Sequence, residues 1–106
     1  MNKRPERMII YNVTVNIDDE VHDEWLEWMK SEHIPEVMAT GAFIESRMAR
    51  VLSDDPEGKT YAIQYTCMTM NDYEKYREEH APALQEKVLI RYKDRFVAFR
   101  TLLEVI

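Results

Sequence analysis

His33 is the residue of this chain whose type and position could most readily support chemistry. The unperturbed pKa of histidine lies close to neutral pH, so its imidazole can accept or donate a proton under physiological conditions. His33 stands two residues before Pro35, where the first helix is expected to break. We therefore expect His33 either to act as an acid or base or to cap the helix end through a backbone hydrogen bond.

Five aromatic residues are expected to lie near His33. Trp28 and Trp25 precede it by roughly one and two helical turns. Tyr11, Tyr61 and Tyr65 belong to two predicted neighbouring strands and share the parity that faces the helices. Apolar walls around one ionisable group are typical of a pocket for a small aromatic or acyl ligand. Aromatic residues at such spacings more often form an ordinary hydrophobic core, which is the competing interpretation.

The other two histidines are weaker candidates. Residues 79–82 (EHAP) echo residues 32–35 (EHIP), so His80 could mirror His33 in the second half of a pseudo-symmetric fold. The charged neighbours of His80 favour a solvated surface position instead. His22 is followed by Asp23 and Glu24 and is expected to be exposed and inert.

Three arginines, Arg47, Arg50 and Arg100, are expected inside strands. The interior of a strand rejects an unpaired charge, so each needs a carboxylate, solvent or an anionic ligand. Pairing with Glu45 or Glu104 within a dimer is the favoured interpretation, and binding of an anionic ligand is the alternative.

No pattern predicts a metal or cofactor site. His33 and Glu36 have a suggestive spacing, but no second His or Cys lies near enough in sequence to complete a ligand set. With Gly41 and Gly58 as its only glycines, the chain cannot build a glycine-rich phosphate loop or a dinucleotide fingerprint. Cys67 has no partner for an intrachain disulfide and is expected to be a buried, inert thiol.

The composition is that of one globular domain. The chain has 106 residues, 45% of them apolar, which is enough for a hydrophobic core without cross-links. No apolar run approaches the ~20 residues that a membrane span needs, and no signal-peptide pattern occurs, so we expect a cytoplasmic protein without a membrane partner. Residues 1–7 are expected to form a disordered or weakly ordered extension, and residues 8–106 a single domain.

Hydrophobic periodicity predicts four strands and two interrupted helices. Alternating apolar residues predict strands at residues 8–17, 42–52, 60–69 and 96–106, with a turn at residues 53–58. Helical spacing predicts a first helix that breaks at residues 31–35 and resumes from Pro35 to Met38. Asn71 and Glu74 are spaced as the capping box of a second helix, which Pro82 interrupts before it continues to Tyr92.

This order of elements predicts an α+β fold of the ferredoxin-like βαββαβ type. Its antiparallel four-stranded sheet carries both helices on one face and leaves the other face open. The open face is poor in charge, so a homodimer that packs sheet against sheet is the preferred way to cover it. The small, apolar or uncharged residues expected there are Ile10, Asn12, Thr14, Ala62, Thr66 and Met68.

A domain that recognises RNA has the same order of elements and is the rival interpretation. Such domains read bases with aromatic residues on their two central strands, and residues 59–65 (KTYAIQY) match their motif in part. The match fails at Thr60, Ile63 and Gln64, which replace a glycine, an aromatic and an apolar residue. The net charge of −6 also opposes binding to phosphates, so we expect no nucleic-acid partner.

Several stretches carry a resemblance to a known family. They are residues 8–17 (MIIYNVTVNI), Trp25 and Trp28, residues 33–35 (HIP) and residues 40–43 (TGAF). Over residues 8–106 the chain resembles a small bacterial family described as a domain of unknown function, within or near the dimeric α+β barrel superfamily. The resemblance implies a ferredoxin-like protomer that dimerises into a barrel. More distant members of that superfamily include antibiotic biosynthesis monooxygenases, haem-degrading enzymes, muconolactone isomerases and stress-responsive barrel proteins, so the fold selects no chemistry.

The sequence supports two functional hypotheses and does not decide whether the protein is an enzyme. The first is a protein that binds a small aromatic or acyl molecule in a pocket lined by Tyr11, Trp25, Trp28, His33 and Tyr65. The second is a cofactor-independent monooxygenase or isomerase in which His33 acts as general base on an acidic C–H or a phenol. Only the second predicts that a His33→Ala variant loses turnover while it keeps ligand binding.

Overall fold

Four strands and four helices make up the computed structural model, which describes residues 6–52 and 57–106. The strands are β1 (Ile9–Ile17), β2 (Glu45–Arg50), β3 (Lys59–Cys67) and β4 (Phe96–Glu104). The helices are α1 (His22–Trp28), α2 (Ile34–Ala39), α3 (Met70–Glu79) and α4 (Ala81–Tyr92). A 3₁₀ turn at Asp19–Val21 precedes α1, and a π-helical turn at Met29–His33 joins α1 to α2.

The strands form one antiparallel sheet in the order β2-β3-β1-β4. The first strand therefore lies between β3 and β4, and the helices pack on one face, as in the predicted ferredoxin-like fold. The predicted α+β class and order of elements are confirmed. This topology places the middle of β1 and β3 beneath the helices, where the core lies.

The alternation of β1 and β3 divides their side chains between the two faces of the sheet. Tyr11 lies directly opposite Tyr65, and Val15 directly opposite Tyr61. All four side chains are buried on the helix side. The register therefore brings Tyr11 and Tyr65 together at the centre of the sheet, beneath the helices.

The segment around Pro35 does not break in the way that the sequence predicts. Ile34, which precedes the proline, has φ −60° and ψ −45° and stays in the right-handed helical region. The interruption is instead the π-helical turn at Met29–His33, in which each N–H reaches one residue further back along the chain. The proline, which has no N–H to donate, then falls in the first turn of α2, where such a donor is not needed.

Two predicted boundaries are wrong and two predictions lie outside the described residues. The second strand is β2, shorter than the predicted 42–52, and most of its residues are exposed rather than covered on both faces. Thr69, not Asn71, caps α3, because its Oγ1 accepts a hydrogen bond from the backbone N–H of Asp72 at 3.1 Å. Most of the predicted N-terminal extension and of the predicted turn, residues 1–5 and 53–56, is not described; Glu6 and Arg7 are exposed and precede β1.

The face of the sheet opposite the helices is uncovered in a single chain. On β4, Val97, Phe99 and Leu103 expose 57%, 66% and 41% of their surface. Their neighbours across the sheet include Asn16, Thr14 and Ile10 of β1. An apolar strip therefore runs along the open face at its β4 edge.

Candidate functional site

His33 ends the π-helical turn and lies between the helices and the sheet. Its ring stacks on the indole of Trp28, with ring centroids 5.0 Å apart and an angle of 25° between the planes. Single π-helical turns within α-helices are frequent at functional sites. Here the turn sets the imidazole at the wall of a cavity.

The His33 side chain is partly withdrawn from water. Burial lowers its pKa below the ordinary histidine value; the charge of Glu36 opposes this effect and that of Lys87 adds to it. The imidazole is therefore neutral at neutral pH. Its Nδ1 atom is buried and has no hydrogen-bond partner among the described residues.

A cavity of about 300 Å³ lies between the helices and strands β1, β3 and β4. Most of its wall is apolar, and polar atoms enter from His33, Gln85, Arg100 and three tyrosines. The lining residues are Tyr11, Val13, Val15, Trp25, Met29, His33, Val37, Ile63, Tyr65, Tyr76, Leu84, Gln85, Val88, Leu89, Phe96, Ala98 and Arg100. The volume falls at the lower end of the range for small-molecule sites.

Four of the five residues assigned to the pocket from the sequence line this cavity. They are Tyr11, Trp25, His33 and Tyr65. Trp28 does not line it: the indole packs between His33 and Tyr92, whose ring centroid is 5.6 Å away, and Arg91 lies over it at 5.2 Å. Trp28 therefore supports the imidazole instead of facing a ligand.

The tyrosines of the cavity belong to a larger aromatic cluster. The ring of Tyr11 lies 6.0 Å from the rings of Tyr65 and Tyr76 and 5.2 Å from that of Tyr73. Phe43 contacts the same group, with its ring 4.7 Å from Tyr76. Burial, and secondarily the proximity of the other hydroxyls, raises the pKa of Tyr65 and of Tyr76. These hydroxyls remain protonated at neutral pH and can donate hydrogen bonds.

Arg100 also lines the cavity, although its sequence neighbours predict pairing with a carboxylate. Its Nε atom donates a hydrogen bond to the Tyr11 hydroxyl at 3.1 Å. No described carboxylate lies within 4.0 Å of Arg47, Arg50 or Arg100, so the expected pairing with Glu45 or Glu104 is not formed within one chain. One signal was available, because Arg100 shares the parity of Phe96 and Ala98, which face the helices.

The prediction that His22 is exposed is wrong, because its side chain is buried. Only 9% of its surface is accessible, and its ring stacks on Tyr61 at 5.6 Å. Its Nε2 atom shares a 2.6 Å hydrogen bond with the Tyr61 hydroxyl, and Nδ1 lies 2.8 Å from a carboxylate oxygen of Asp23. These contacts tie the start of α1 to β3, outside the cavity.

His80 stands between α3 and α4 and is half-buried. Its ring centroid is 6.3 Å from that of Tyr76. It is not among the residues that line the cavity, so the echo between residues 32–35 and 79–82 does not give the cavity a second histidine.

The described part of the chain shows no metal centre and no membrane segment. Among residues 6–52 and 57–106, no three His, Cys, Asp or Glu side chains are grouped so that they could hold a metal ion. None of the helices in these ranges has the length and apolarity that crossing a bilayer requires. Cys67 is a buried free thiol whose pKa burial raises.

A family model described as a domain of unknown function, DUF4286, matches residues 8–106. No curated protein matches the sequence. Solved structures with the same fold include an EthD-like protein from Ralstonia eutropha, with a TM-score of 0.69, 16% identity and coverage of 95% of this chain and 94% of that one.

Two further solved structures illustrate the range of proteins with this fold. A candidate antibiotic biosynthesis monooxygenase from Nitrosomonas europaea has a TM-score of 0.68, 11% identity and coverage of 100% of this chain and 96% of its own. A dimeric ferredoxin-like protein from an uncultured marine organism has a TM-score of 0.59, 14% identity and coverage of 95% and 97%. At these identities the likeness establishes the fold and leaves the chemistry open.

Proposed function

The chain belongs to the DUF4286 family, and we propose that it is a cytoplasmic protein that binds a small aromatic or acyl molecule in the cavity beneath its helices. The observation that carries the proposal is the cavity itself, about 300 Å³ with largely apolar walls. Protein interiors pack as densely as organic crystals, so a core that only stabilised the fold would fill such a space. An apolar cavity with a few convergent polar groups is typical of a ligand site.

The polar groups of the cavity suit the orientation of one ligand. Tyr65 and Tyr76 offer protonated hydroxyls, and Gln85 offers an amide. His33 is neutral, so one ring nitrogen donates and the other accepts a hydrogen bond. These groups can fix the polar atoms of a ligand while the apolar walls hold its body.

An enzymatic role for His33 is the second candidate. The observation that favours it is a neutral imidazole at the wall of the cavity, the state that a general base requires. Two features favour binding over catalysis. No described side chain pairs with Nδ1 to fix the tautomer and the orientation of the ring. A lowered pKa also makes the imidazole a weaker base. A cofactor-independent monooxygenase or isomerase is therefore kept as the alternative.

A homodimer is the assembly that we propose. A second copy would cover the apolar strip of Val97, Phe99 and Leu103 on the open face. The dimeric ferredoxin-like structure of the same fold also supports this assembly.

The binding proposal can be tested with the two tryptophans. Native mass spectrometry of gently purified protein would first show the mass of any bound molecule. The protein would then be titrated with octanoic acid while tryptophan emission is recorded in the variants Trp28→Phe, which keeps Trp25, and Trp25→Phe, which keeps Trp28. Trp25 lines the cavity and Trp28 does not, so the emission of Trp25 should change more strongly.

Each result of this experiment bears on the proposal. A saturable response of Trp25, or a copurified ligand, supports binding in the cavity. Protein that carries no ligand, with no response from Trp25, contradicts it and assigns the aromatic residues to the core alone. Once a ligand binds, His33→Ala separates the two candidates: loss of turnover with retained binding indicates a base, whereas a ligand that is never converted by the wild type indicates a binding protein.

A further inference from the structure

Arg100 brings a positive charge to one end of the cavity. It projects from β4 on the helix side, with Ala98 and Val13 as its neighbours in the sheet, and it lies at the exposed edge of the cavity. The chain carries 20 acidic residues, yet no described carboxylate approaches within 4.0 Å of this guanidinium. The described part of the chain therefore supplies no counterion to this charge at the edge of the cavity.

The groups around Arg100 are also hydrogen-bond donors. Its Nε atom donates to the Tyr11 hydroxyl, which leaves the proton of that hydroxyl free for another acceptor. Burial raises the pKa of the Tyr76 hydroxyl, and Arg100 is close enough to act against that rise. Tyr11 and Tyr76 line the cavity with Arg100, so one guanidinium and two phenolic hydroxyls converge at this end.

We propose that the Arg100 end of the cavity is a carboxylate-binding subsite, so that the ligand is an aromatic or acyl carboxylate whose anionic group meets Arg100. The inference rests on the proposed function, because it assigns a substrate class to the same cavity. The body of the ligand would lie along the apolar wall formed by Val13, Ile63 and Val88.

The geometry of Arg100 fits a carboxylate in particular. Its Nε atom is held by the Tyr11 hydroxyl, which orients the planar guanidinium. The two terminal Nη atoms remain for the two oxygens of one carboxylate, and a paired contact of this kind is the strong form of arginine recognition. The hydroxyls of Tyr11 and Tyr76 can donate to the remaining lone pairs.

A matched pair of probes tests this inference. The affinities of 2-naphthoate and of its neutral amide, 2-naphthamide, would be measured by calorimetry with the wild type and with Arg100→Gln. The control is Arg47→Gln, which removes the same charge from the open face of β2. We expect the wild type to prefer the carboxylate and Arg100→Gln to lose about fivefold in affinity for it, the upper range for a partly exposed ion pair. Affinity for the amide, and all affinities of Arg47→Gln, should stay unchanged.

The outcomes separate the two proposals. Equal binding of both probes by the wild type, unchanged in Arg100→Gln, contradicts the carboxylate subsite and leaves the ligand cavity intact. Binding of neither probe contradicts the cavity proposal and the subsite with it. If Arg100→Gln does not fold, the preference of the wild type for the carboxylate over the amide still decides, because it is measured without any substitution.

Discussion

Trp28 stacks on His33 with their ring centroids 5.0 Å apart, although only His33 lines the cavity. The indole covers one face of the imidazole and removes it from water. This packing accounts for part of the burial that lowers the pKa of His33. His33 therefore faces the cavity, and Trp28 shields the imidazole of His33 from water.

The pKa of His33 gives the first prediction. In the unfolded chain its pKa is about 6.5, and in the folded protein it is lower. Between these two values the unfolded chain binds more protons, so His33 makes stability fall as the pH drops through that window and adds no further change below it. Urea unfolding over this pH range should show a steeper loss for the wild type than for His33→Gln. Identical slopes, or a His33 pKa above 6.5 by NMR titration, would contradict the burial of the imidazole.

The hydrogen bond between His22 and Tyr61 gives the second prediction. It joins two buried side chains at 2.6 Å. Removal of either side chain leaves the polar atom of the other without this hydrogen-bond partner. His22→Phe and Tyr61→Phe should each destabilise the protein. The double variant should lose less than the sum of the two, by about 1 kcal/mol in a double-mutant cycle. Strictly additive losses of unfolding free energy would show that the two side chains are not coupled.

The start of α3 gives the third prediction. Thr69 supplies the capping oxygen, whereas Asn71 lies within the helix. Thr69→Ala should therefore lower the free energy of unfolding by about 1 kcal/mol. Asn71→Ala is the matched control and should change it by less than about 0.5 kcal/mol. If chemical denaturation shows a larger loss for Asn71→Ala than for Thr69→Ala, Asn71 caps the helix, as the sequence predicts.

The open face of the sheet gives the fourth prediction. Phe99 is exposed over 66% of its surface on the face that we propose a second copy to cover. Phe99→Glu would place a charge in that interface and should shift sedimentation from a dimer to a monomer. Ile90→Glu, at a residue of α4 that is 76% exposed, is the control and should leave the dimer unchanged. A monomeric wild type would contradict the dimer.

The fold could be predicted because hydrophobic periodicity and turn residues determine the order of the elements. Alternation along β1 places Tyr11 and Val15 on one face, and the register with β3 follows from the antiparallel pairing. The ends of elements were less predictable. The side chain that caps α3 depends on which hydroxyl or amide reaches a free N–H, and Thr69 and Asn71 both have a suitable group.

The candidate site could be predicted only in part. The positions of Tyr11 and Tyr65 at the cavity can be predicted from the alternation of the strands. The position of Trp28 depends on how α1 is rotated about its own axis, which the sequence does not specify. Residues three positions apart on a helix differ by about 60° around that axis. This offset is enough to place Trp25 at the cavity and Trp28 behind His33.

The positions of His22 and Arg100 could not be predicted from their neighbours in the sequence. The charged residues that follow His22 predict exposure, yet His22 is buried because its ring stacks on Tyr61 of β3 and bonds the hydroxyl of that residue. Arg100 was expected to find a carboxylate, and its place at the cavity depends on how α4 and β4 pack together. Local composition does not report such long-range packing.

The most direct test of the cavity is to fill it. Ala98 lines the cavity, so Ala98→Trp would occupy the space of a ligand, whereas Ala83→Trp adds the same side chain at an exposed position of α4 that does not line the cavity. Calorimetry with 2-naphthol, an uncharged aromatic probe, would be carried out on both variants and on the wild type. We expect saturable binding to the wild type and to Ala83→Trp, and none to a folded Ala98→Trp. Absence of binding to the wild type, or undiminished binding to Ala98→Trp, would contradict the claim that this cavity is the ligand site.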